Sequence, residues 1–68
     1  MKIKYDRETD ILMLELSDKK IDYAEEAGPM IIHFTEQGEP VLVEILDASE
    51  FLAELMKASI RGSTEVAV

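Results

Sequence analysis

Gly38-Glu39-Pro40-Val41-Leu42-Val43-Glu44-Ile45-Leu46-Asp47-Ala48-Ser49-Glu50 is the stretch on which the fold turns. Gly38 closes a polar turn, Thr35-Glu36-Gln37-Gly38-Glu39, where the left-handed conformation is open to glycine. Pro40 precedes a strand, a place where its missing N–H costs no ladder bond. Val41 to Leu46 is apolar but for Glu44, with Val41, Val43 and Ile45 on one side and Leu42, Glu44 and Leu46 on the other. Asp47 and Glu50 then stand at capping-box spacing, so a helix is expected to start there. Ala48, Phe51, Leu52, Leu55, Met56 and Ile60 follow helical spacing, giving one apolar stripe. Arg61 suits the helix C-terminus, and Gly62 is its expected C-cap.

Working back from this stretch, Met30-Ile31-Ile32-His33-Phe34 is the partner strand of the same hairpin, opened by Gly28-Pro29. Ile11-Leu12-Met13-Leu14-Glu15-Leu16 and Lys2-Ile3-Lys4-Tyr5 are two further strands, joined through the polar loop Asp6-Arg7-Glu8-Thr9-Asp10. Asp6 and Asp10 are expected to cap that loop locally, because aspartate accepts nearby backbone bonds readily. Their spacing lacks the glycine and terminal glutamate of a calcium loop. Ile21 to Ala27 reads as a connection with room for a short edge strand. The expected fold is α+β: a four-stranded antiparallel meander with one C-terminal amphipathic helix packed on one face, in a single domain over 1–68.

The helix is expected to cover the uniformly apolar face: Leu12, Leu14, Leu16, Met30, Ile32, Phe34, Val41, Val43 and Ile45. The opposite face is mixed. Ile11, Met13, Ile31, Leu42 and Leu46 form its apolar part, and such a patch reads as a contact surface, paired with a twin chain or another partner. The competing expectation is that the tail or the Ile21–Ala27 segment folds over it.

Composition limits the function classes. The chain has 68 residues and buries only roughly 60% of its unfolded surface, so it needs support. Cysteine is absent, which removes disulfides and thiolate metal sites, and His33 is the single histidine. No metal site or cofactor is expected, and oligomerisation, as a homodimer, is the remaining support. Fifteen Asp and Glu stand against seven Lys and Arg, a formal charge of −8. Nucleic acid and anionic membranes are disfavoured, and a basic protein partner is attracted. Apolar runs are too short for a membrane span, and the N-terminus lacks a signal-peptide pattern, so a cytoplasmic location is expected.

His33 and Glu44 share the mixed face on neighbouring strands, opposite or diagonal to each other, and Glu15 joins them if the second strand lies alongside. A histidine–carboxylate pair suits a general base or a ligand site. The plainer reading is a cross-strand ion pair. No nucleophile elbow, phosphate loop or dinucleotide fingerprint is present, and no catalytic residue is assigned.

Tyr5-Asp6, Asp10-Ile11-Leu12 and the run Gly38 to Ser49 resemble the small prokaryotic domain-of-unknown-function family 2283. Val43-Glu44-Ile45-Leu46-Asp47-Ala48-Ser49 carries most of the resemblance. Tyr5, Asp6, Asp10, Leu12, Gly38, Glu44, Ile45, Leu46, Ala48 and Ser49 match by position. His33 and Val43 depart from the family pattern, which weighs against a shared catalytic histidine. The resemblance implies no established activity. Some members look like neighbours of toxin-like small proteins, which admits an antitoxin-like role beside a basic partner. The expectation is thus a non-enzymatic interaction module. The alternative is a small ligand-binding, metal-binding or catalytic protein using His33 and Glu44.

Overall fold

The computed structural model describes residues 1–60, with side chains as far as Lys57. The expected C-cap at Gly62 with Arg61, and the tail 63–68, lie outside the described residues. The described residues form β1 (Lys2–Asp6), β2 (Ile11–Glu15), β3 (Tyr23–Ala27), β4 (Met30–Phe34), β5 (Pro40–Ile45) and α1 (Ala48–Ile60). All strands pair antiparallel in one sheet, in the order β1-β2-β5-β4-β3.

The α+β class and the C-terminal helix agree with the sequence, but the sheet is not a four-stranded meander. Two differences account for this. The Ile21–Ala27 segment contributes β3, an edge strand paired to β4 through a two-residue turn at Gly28-Pro29. Gly28 has φ 58, the conformation required of a glycine at the first central position of such a turn. Glu25 and Glu26 leave β3 exposed and charged, which suits an edge. Secondly, β5 sits in the centre, between β2 and β4. A strand apolar on both sides gains most where neighbours flank it on both edges. Val41 and Ile45 are accordingly among the most buried residues, each 4% exposed.

The link from β2 to β3 therefore crosses the ends of β5 and β4. It is tied down there: the Leu16 N–H donates to the Val41 carbonyl at 2.8 Å, the Asp22 N–H to the Phe34 carbonyl at 2.8 Å, and Lys19 pairs with Glu39 at 2.5 Å. Tyr23 stacks on Phe34 with ring centroids 5.2 Å apart and reaches over the Gly38 turn.

The register confirms the face assignment. Leu14, Val43 and Ile32 lie in one row across the sheet, and Leu12, Ile45 and Met30 in the next. The expected helix packing does not occur. Among the described residues, the helix makes hydrogen bonds to the sheet end through its first turn and no extended contact along any strand. Leu52, Leu55 and Met56 are 39%, 40% and 63% exposed. The described sheet is a single layer, and most of its apolar residues on both faces are only half-buried. The radius of gyration, 13.3 Å, exceeds the about 11 Å of a compact chain of this length.

Candidate functional site

The mixed face is laid out by the register. One row reads Lys4, Met13, Glu44, Ile31, Glu26 and the adjacent row Lys2, Glu15, Leu42, His33, Ala24. Ile11 and Leu46 continue the face beyond them, Leu46 held by its N–H donating to the Pro29 carbonyl at 2.8 Å. The five expected interface residues, Ile11, Met13, Ile31, Leu42 and Leu46, thus share one face and are all half-buried. The Ile21–Ala27 segment does not fold over them, since it is the edge strand β3.

His33 and Glu44 are diagonal neighbours, and His33 Nε2 meets Glu44 Oε1 at 2.5 Å. Both are about three-quarters buried, with side chains 21% and 26% exposed. Beside Met13 and Ile31, the Glu44 carboxylate has a polar partner only in His33 among the described residues, which offsets the cost of holding a charge between apolar strands. Glu15 shares the face, because β2 does lie alongside β5, but Leu42 stands between it and His33. The cluster is therefore a pair with a bystander. No group of three metal-ligating side chains converges among the described residues.

A second polar centre, not expected from local spacing, ties the β1–β2 hairpin to the start of α1. Asp10, at φ 55, presents its carboxylate to Tyr5 and Ser49. Oδ1 accepts from the Tyr5 hydroxyl at 2.6 Å and the Ser49 N–H at 3.0 Å, and Oδ2 accepts from the Ser49 hydroxyl at 2.7 Å. The Asp10 carbonyl also accepts from the Ala48 N–H at 3.0 Å, and Ala48 is wholly buried. Asp10 thus supplies the helix cap expected from Asp47. Asp47 instead takes the left-handed conformation, φ 51, and only its backbone carbonyl accepts from Glu50 and Phe51. Asp6 does cap the first loop locally, bonding the Glu8 N–H at 3.2 Å and the Thr9 hydroxyl at 2.7 Å.

Donation from Tyr5 and Ser49 favours the ionised form and holds the Asp10 carboxyl below its usual range. The same bond from the other side raises the Tyr5 phenol, since losing its proton forfeits the bond beside a negative charge. The signal for this centre was present in the sequence: Tyr5, Asp10, Ala48 and Ser49 all belong to the family-like stretches, although 39 residues separate Asp10 from Ser49.

The model of the family described as "Protein of unknown function (DUF2283)" matches residues 2–49. The chain belongs to this family. The matched span covers the whole sheet and ends at Ser49, the residue that closes on Asp10. The DUF2283 match therefore takes in the latch and leaves out the helix beyond its first two residues. No curated protein and no solved structure matches the chain. No helix among the described residues is long and apolar enough to cross a membrane.

Proposed function

We propose that this DUF2283 protein is a non-enzymatic interaction module whose working form is a homodimer. One observation carries the reading: a single-layer sheet that presents half-buried apolar side chains on both faces, with its own helix lying over neither. Sheets in small domains are stable when a second layer covers an apolar face. Here Val41, Ile45 and Ala48 are the apolar residues buried within the described chain, too few for a core of its own. A second copy supplies what the single chain lacks.

The outer rim of such a dimer is acidic. Asp18, Asp22, Glu25, Glu26, Glu36 and Glu39 are exposed around the β3 edge and the neighbouring turns. A basic protein is the macromolecular partner that this charge favours, which is compatible with an antitoxin-like role.

Sedimentation equilibrium of the full chain tests the reading. A mass of two chains across micromolar concentrations supports it, and a mass of one chain at all concentrations refutes it. The second reading, a ligand or catalytic site at His33 and Glu44, is favoured by their 2.5 Å contact. His33→Ala separates the two: a module keeps its self-association, whereas a ligand site loses its ligand.

A further inference from the structure

We propose that the C-terminal helix of each copy docks on the apolar sheet face of its twin, across Leu14, Val43 and Ile32. This rests on the homodimer reading and names the element that makes the dimer. The helix carries a stripe of Phe51, Leu52, Leu55 and Met56, of which the last three are exposed. The sheet face bears the complementary deficit. Its two central rows, Leu14-Val43-Ile32 and Leu12-Ile45-Met30, are apolar throughout, and all but Ile45 are only half-buried. The other face carries Glu15, His33 and Glu44 in its central rows, a poorer bed for an apolar stripe.

A second copy is the occupant these residues name, because it carries both an exposed stripe and an open face and so satisfies both at once. The direction of the helix is set by the sheet end. Asp47 in the left-handed conformation redirects the chain after β5, and the Asp10 bonds to Ala48 and Ser49 hold the first turn in place. The helix is thereby attached at the sheet end, and its Leu52, Leu55 and Met56 stay exposed rather than packed on its own apolar face. Reciprocal exchange about a two-fold axis buries both helices and both faces with one self-complementary contact.

The test uses the full chain carrying Leu55→Glu with Met56→Glu. Both positions are exposed in the single chain, so the substitutions leave its sheet unstrained. The dimer dissociation constant measured by sedimentation should rise by on the order of 100-fold or more, since the apolar contact is lost twice. An unchanged constant overturns helix docking and leaves the homodimer reading standing. A wild-type chain that is monomeric throughout overturns both. A second measurement exploits the absence of native cysteine. Chains bearing Met56→Cys, mixed with chains bearing Ile32→Cys, should form an intermolecular disulfide on oxidation, and a mixture with Met13→Cys on the opposite face should not. Cross-linking to Met13→Cys in place of Ile32→Cys overturns the assigned face.

Discussion

Ile32→Ala and Ile45→Ala form a matched pair that reports whether the apolar face is covered. Both remove the same atoms from neighbouring positions on that face. Ile45 is 4% exposed within the single chain, between Leu12 and Met30. Its truncation leaves a cavity whether or not a twin is present, at about 2–5 kcal/mol. Ile32 is only half-buried in the single chain. If the face were open to water, its truncation would forfeit part of the transfer energy and leave no closed cavity, at about 1 kcal/mol. Under a docked twin helix it becomes a core residue, and its cost rises to the same 2–5 kcal/mol. In a domain this small, about 1 kcal/mol moves the melting temperature by about 4–8 °C. Thermal unfolding followed by circular dichroism at several protein concentrations reads the difference. The expected result is two variants destabilised alike, with melting temperatures that rise with concentration. An Ile32→Ala variant within about 1 kcal/mol of wild type, with a melting temperature independent of concentration, would refute the covered face.

Four other outcomes follow from the polar and charged groups. The Asp10 carboxyl is held low, so its contribution is present above its ordinary value of 3.8 and is lost as pH falls through the lowered one. Asp10→Asn should therefore be less stable than wild type at pH 7, with the gap in melting temperature closing in acid; a gap independent of pH would count against the latch. Tyr5 is raised, so its contribution is present below 10.0 and fades as pH climbs past the raised value, and the gap between wild type and Tyr5→Phe should narrow in alkali. With each chain at −8, two copies repel, so raising salt from about 10 to about 150 mM should tighten self-association measured by sedimentation; loosening would indicate an interface held by ion pairs instead. His33→Ala should leave the dimer constant within about threefold in the same assay, a change of under about 1 kcal/mol.

Much of this was legible in the residues. The alternation of Leu12-Leu14 and of Val43-Ile45 assigned both faces correctly, because side-chain direction in a strand depends only on parity. His33 and Glu44 were brought together by their places in one hairpin. Strand order was less accessible. Chain proximity favours a meander, whereas Val41 to Ile45, apolar on both sides, is most stable in the middle of the sheet. β3 was obscured by Glu25 and Glu26, whose charges suit an edge strand and also a loop. The helix cap was assigned to Asp47 by local spacing, and the actual donors close on Asp10, a long-range contact that no window around either residue contains. The amphipathic stripe of α1 was legible from its spacing, but the expectation that it packs on its own sheet was not met, since Leu52, Leu55 and Met56 are exposed.

Isotope-filtered NOE spectroscopy on an equimolar mixture of labelled and unlabelled chains reads directly whether the helix of one copy lies on the sheet of the other. Intermolecular contacts are expected between the Met56 methyl of one chain and the Ile32 and Leu14 methyls of its twin. A mixed sample without intermolecular contacts at these methyls, with Met56 showing the rapid motion of a solvent-exposed side chain, would contradict it.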